Sequence, residues 1–171
     1  MIEGFIRGLK ARRPALFNLY SNCQPEHGIG DDMSTAQSKL AVESRAYPLF
    51  RYDPDAGKTP QECFDLEGNP EIDETWPTYE LTYMDDEGEE RTISLPLTVA
   101  DWAASEPRFG RHFKRVPRER WSDVMVPFHE SLDLSAEDRK GKQPFIHVIA
   151  DEKNLGRLAV SEEMVDLAVD R

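Results

Sequence analysis

Cys23 and His27 stand four apart in the stretch Pro14 to Gly28, PALFNLYSNCQPEHG. A thiol and an imidazole are the side chains best suited to nucleophilic or metal chemistry. A Cys/His nucleophilic pair needs the ring within hydrogen-bond reach of the sulfur and a third group to orient it. Pro25 lies between the two and argues against a compact helical turn, and no orienting group suggests itself. A zinc site needs four ligands, whereas His112, His129 and His147 are scattered and Cys63 stands alone. An iron–sulfur cluster needs about four thiolates. With two cysteines the chain could supply part of one at most. On spacing alone Cys23 reads as a buried, inert thiol. Neither a Walker sequence nor a G-x-G-x-x-G fingerprint is present, so no catalytic constellation is complete.

The element that must position Cys23 is the run just before it. Ala15, Leu16, Phe17, Leu19 and Tyr20 are bounded by Pro14 on one side and Ser21, Asn22 and Pro25 on the other. Such a run predicts a strand covered on both faces, as in parallel α/β sheets. Cys23 then falls at the strand's carboxyl end, where the loops of such sheets hold ligands. Before it, Ile2, Phe5, Ile6 and Leu9 have helical spacing and predict a helix over 2–12. After it, Asp31 or Asp32 is placed to cap a helix over 33–46 with Ala36, Leu40 and Ala41 inward and Pro48 as its stop. Leu49 to Tyr52 predicts a second short strand.

Further on the periodicity is clearer. Tyr79, Leu81 and Tyr83 alternate with polar residues, Asp85 to Gly88 makes a turn, and Ile93 and Leu95 share a face, which predicts a hairpin over 78–95. Thr98 and Asp101 have the spacing of a helix start, and Trp102, Phe109 and Phe113 predict one or two short helices packing on that hairpin. Residues 122–142 read as loop with a turn or two of helix. Phe145 to Ala150 predicts a strand, 157–160 its return, and Ser161 the cap of a last helix with Met164, Val165 and Ala168 inward. The organisation expected is therefore α/β over 1–57, an acidic irregular linker over 58–77, and an α+β extension with β-hairpins over 78–171.

The 171 residues carry a net charge of −12, unevenly spread. Residues 1–60 hold 8 Lys/Arg and 7 Asp/Glu, residues 61–90 hold none and 12, and residues 91–171 hold 13 and 14. The acidic block repels nucleic acid and anionic lipid, so neither is an expected partner. Between Arg108 and Arg120 six cations face a single Glu119, a local basic patch that reads as a solvated face or as a partner for the acidic block. No apolar run approaches membrane-spanning length, and Arg7 and Lys10 interrupt the apolar residues of the first helix, so no signal-peptide core is read there. A cytoplasmic protein with reduced thiols is expected, Cys63 as a free surface or half-buried one.

The words themselves resemble a known family. Ser21-Asn22-Cys23-Gln24-Pro25-Glu26-His27-Gly28-Ile29 is similar to a segment near the end of the thiamine-binding domain of pyruvate:ferredoxin oxidoreductases. Lys39 to Pro54 (KLAVESRAYPLFRYDP) and Asp65 to Pro70 (DLEGNP) resemble the landmarks that follow. The likeness covers roughly residues 13–70 and loosens beyond. It implies a partial three-layer αβα thiamine-domain segment, and Cys23 as the last of four cysteines holding the [4Fe–4S] cluster nearest the thiamine. That cluster would take electrons from oxidative decarboxylation of a 2-oxoacid and pass them to ferredoxin or flavodoxin. His27 and Gly28 would shape the loop, His27 without ligating. The other three cysteines and the Gly-Asp-Gly motif for thiamine diphosphate and Mg²⁺ are absent, since Gly30-Asp31-Asp32 is not that motif. The resemblance thus implies a C-terminal piece (a gene fragment, split subunit or excised domain) inactive by itself and partnered by the rest of the oxidoreductase. The rival expectation is a non-catalytic interaction module acting through its acidic 61–90 or basic 108–120 face.

Overall fold

The computed structural model describes residues 2–70 and 76–169, so the expectations for 71–75, 170 and 171 lie outside the described residues. In order, the helices are α1 (Ile2–Lys10), α2 (Gln24–His27), α3 (Ser34–Glu43), α4 (Val99–Ala104), α5 (Phe128–Leu132), α6 (Ala136–Arg139) and α7 (Glu162–Val169). The strands are β1 (Arg51–Tyr52), β2 (Phe64–Asp65), β3 (Thr78–Met84), β4 (Glu90–Pro96), β5 (Phe113–Val116), β6 (Met125–Pro127), β7 (Gln143–Ile149) and β8 (Leu155–Val160). The chain is mixed α and β. One four-stranded sheet runs β5-β8-β7-β6, antiparallel except for the parallel pair β6–β7, and β1–β2 and β3–β4 are separate two-stranded antiparallel ribbons.

One core joins the sheet to four helices. Phe128 of α5, Ile146 of β7, Val160 of β8 and Met164 and Val165 of α7 meet Ala100, Trp102 and Ala103 of α4. Ala41 of α3 and Ala46 just after it are buried in the same cluster, so the first part of the chain shares its core with the last. Apart from Phe113, the periodic predictions in the later part hold. The β3–β4 ribbon pairs Tyr79 with Leu95 and Leu81 with Ile93, Thr98 and Asp101 form a complete capping box, and the Ser161 Oγ accepts from the Met164 amide at 3.3 Å. The Tyr79 hydroxyl donates to Asp101 Oδ1 at 3.0 Å and ties the hairpin to α4. Burial pushes both groups up, the tyrosine further raised by the adjacent carboxylate.

The first part departs from expectation. Residues 15–20 form no strand and pair with no sheet; Leu16 is 94% exposed, and Phe17 and Leu19 are exposed too. The run is held instead by the Phe17 ring stacking on Phe5 at 4.5 Å, close against Gly8 of α1, where a Cβ would meet the Phe17 ring edge at 2.5 Å. A short apolar run without a period reports hydrophobicity but not what covers it. Helix α3 is shorter than the predicted 33–46. Asp31 and Asp32 lie in a preceding 3₁₀ turn and cap nothing, and Ala36 faces solvent while Gln37 faces in. Arg45, at φ 58°, ends the helix ahead of Pro48, and the Tyr47 amide turns back to the Ala41 carbonyl at 2.9 Å. The second predicted strand shrinks to β1, Phe113 opens β5 rather than a helix, and β6 was not anticipated. Cys63 is buried, its thiol 3.7 Å from the Gly57 carbonyl, rather than lying at or near the surface.

Among the described residues, twelve of the sixteen exposed large apolar side chains fall between Ile2 and Leu66. Apart from Met33, they lie on α1, on residues 16–19 and around the β1–β2 ribbon, where Phe50 and Tyr52 gather on Phe64 with centroids 5.9 and 4.9 Å away. Arg51 links the ribbon to α1 through Glu3 at 3.4 Å, and Arg13 pairs with Asp55. No helix among the described residues is long and apolar enough to cross a membrane.

Candidate functional site

Cys23 is exposed, not buried as its spacing alone suggested, and Asn22 before it and His27 after it are both buried and hydrogen-bonded. It occupies the N-cap of α2 with an extended backbone (φ −81°, ψ 138°), and its carbonyl accepts the His27 amide at 3.0 Å. Pro25 does not prevent the turn, because it sits in the first turn of α2, where no N–H is needed. Gly28 closes the turn at φ 65°, a left-handed conformation suited to glycine, and donates to the Gln24 carbonyl at 2.9 Å. A Cβ there would also meet Pro107 Cγ at 2.6 Å, so the backbone of the loop approaches residue 107 closely. On the other side Asn22 is buried; its amide donates to the Ser34 carbonyl at 2.7 Å and accepts from the Ser38 hydroxyl at 3.0 Å.

The loop rests on a residue that the sequence reading passed over. Glu106 is 0% exposed. Its Oε1 accepts from the Tyr20 hydroxyl at 2.9 Å, from His27 Nδ1 at 3.1 Å and from Gln37 Nε2 at 3.1 Å, and its Oε2 accepts from Arg108 Nε at 2.6 Å. An ionised carboxylate has no proton to give, so His27 Nδ1 is the protonated nitrogen of that contact. Burial alone would push the Glu106 carboxyl up. The bonds from His27, Tyr20 and Gln37 and the charge of Arg108 outweigh it and hold the group below the usual glutamate range. Tyr20 moves the other way, pushed up to about 12 by burial and by the carboxylate it bonds. The Tyr20 and His27 rings meet edge to face at 5.5 Å, and Arg108 lies over Phe109 and Trp102 at 4.8 and 5.8 Å. Gln37 also exchanges bonds with Ser105 at 2.8 and 3.2 Å.

The site residues expected from sequence therefore separate. Cys23 is exposed with a free thiol, and the buried His27 bonds Glu106 through its ring, away from the role of a second ligand. Among the described residues no group of three or more His, Cys, Asp or Glu could hold a metal ion, and Cys63 is buried elsewhere. One exposed thiol on an anchored loop fits one corner of a shared cluster and does not fit a complete site. The basic patch is largely spent within the chain. Arg108 pairs with Glu106, Arg111 with Glu163 at 3.1 Å, Arg115 with Asp151 at 3.1 Å and Arg118 with Asp86 of the acidic hairpin turn. Compared with known proteins, the chain matches no family model, no curated protein and no solved structure.

Proposed function

We propose that this chain is the C-terminal segment of a 2-oxoacid:ferredoxin or flavodoxin oxidoreductase, pyruvate being the substrate the resemblance names, and that it supplies Cys23 as one thiolate of a [4Fe–4S] cluster in a cytoplasmic enzyme. The single observation that carries this reading is the exposed Cys23 sulfur held between the buried and hydrogen-bonded Asn22 and His27. Cluster ligation requires a sulfur that reaches outward from a fixed backbone, since the potential depends on geometry and water exclusion. The cluster, when bound, supplies one-electron transfer; this chain's part is to hold one iron and shape the loop around it. The uncovered apolar side chains between Ile2 and Leu66 support a second body lying against this part, which would complete the three-layer thiamine domain and bring the other three thiolates, thiamine diphosphate and Mg²⁺. By itself the chain is neither a decarboxylase nor a thiamine binder.

The test is reconstitution. The chain is combined with a polypeptide bearing the three other cysteines and the Gly-Asp-Gly motif of this enzyme class, with iron and sulfide. A [4Fe–4S] absorption and electron-spin signal that requires both partners and disappears in Cys23→Ser supports the reading. A signal unchanged in Cys23→Ser overturns it, as does pyruvate-dependent dye reduction by the isolated chain. The interaction-module alternative draws less support on its basic 108–120 face, where four arginines are paired with carboxylates of the same chain; on the acidic 61–90 face only Asp86 is engaged by one of these pairs.

A further inference from the structure

We infer that Glu106 is the positioning residue of the Cys23 loop: a buried carboxylate from the later part of the chain fixes the backbone that presents the thiol. This rests on the reading of Cys23 as the functional group. A fully buried carboxylate is an expensive way to fill space, and an apolar side chain would do so without the cost of dehydrating a charge. What the carboxylate adds is a demand for donors in fixed places. Two of its four donors, Tyr20 and His27, flank Cys23 three residues before and four after, so they bracket the sulfur. A third, Gln37, comes from α3, the helix that also anchors Asn22 through Ser34 and Ser38.

The grip extends along four consecutive residues. Ser105 bonds Gln37, Glu106 collects the donors, Pro107 abuts Gly28, and Arg108 closes the carboxylate's second oxygen. No hydrogen bond from this segment goes to Cys23, which is exposed. The apolar run 15–19 just before the loop is exposed and has no strand partner, so it cannot hold the loop. Order at Cys23 therefore comes partly from Asn22, tied to α3, and partly from across the chain by way of Glu106, which holds Tyr20 and His27 on either side of it.

The test is amide hydrogen exchange on the full-length chain without any cluster. The His27 and Gly28 amides, bonded to the Cys23 and Gln24 carbonyls, report the turn directly. In Glu106→Leu, which keeps bulk and removes every acceptor, these two amides exchange about tenfold faster or more, while those of β7 and β8 keep their protection. Glu106→Gln retains one acceptor oxygen and gives a smaller rise at the same two positions, roughly threefold. The His27 ring nitrogens give a second readout: Nδ1 carries the proton in the native chain and shares it with Nε2 in Glu106→Leu. The inference is overturned if both amides stay within about twofold of native in either folded variant, if β7 and β8 lose protection equally, or if the ring spectrum is unchanged in Glu106→Leu. Should the leucine variant not fold, the glutamine variant decides by the same exchange criteria. Failed reconstitution with a native exchange response would count against the proposed function and leave this assignment standing.

Discussion

Glu106 carries a pH dependence of definite sign. Its carboxyl is held below the ordinary glutamate value of roughly 4.3, so the network's stabilisation is present above that value and is lost as pH falls through the lower folded value. The charged or titratable groups facing it are Tyr20 and His27 of the loop segment and Arg108 beside it. Acid titration followed by near-ultraviolet circular dichroism is expected to show loss of the Tyr20 environment below pH 4.3, and Glu106→Gln to remove the pH dependence of that step. Glu106→Ala would leave two buried donors, the half-buried Tyr20 hydroxyl and one arginine without their acceptor and is expected to cost about 2–4 kcal/mol in denaturant unfolding. At this scale Cys23 and His27 drew attention because their chemistry marks them, although spacing alone read Cys23 as buried, while nothing marked Glu106 and Gln37. Each is an ordinary polar residue in a polar stretch, and only folding brings them within 3.1 Å.

Elements with a strict period were legible; those whose neighbours define them were not. The β3–β4 alternation, the Thr98 capping box and the β7–β8 pair each contain their own register. The run 15–20 and the three-residue β6 contain none, and their states depend on what is beside them. Two substitutions test elements that position the site. Thr98→Ala removes the fully buried cap of α4, and is expected to cost about 1–2 kcal/mol in denaturant midpoint terms. Gly28→Ala forces a side chain into a left-handed backbone against Pro107, and is expected to cost about 2–3 kcal/mol. It should also loosen the His27 amide, whereas a loss of stability without local exchange would show that the turn tolerates the residue.

For the whole molecule, apolar surface is the property that divides the two stretches. The chain is expected to bind a hydrophobic dye and to self-associate as its concentration rises, through residues before Leu66. Leu9→Glu with Leu16→Glu should reduce both effects, measured by dye fluorescence and light scattering. The cost in stability should stay below about 0.5 kcal/mol per site, since these side chains are 80% and 94% exposed and little packing is lost. The mixed α/β character was readable from pattern, but the shared core was not, because Ala41 and Ala46 join Trp102 and Val160 across fifty-five and more intervening residues. Trp102 is 8% exposed and lies under Arg108, the arginine that closes the Glu106 carboxylate. A natural fluorophore thus lies beside the fastening of the thiol loop, and with Trp76 and Trp121 replaced by phenylalanine its emission colour and lifetime would report any loosening of that fastening with no label attached.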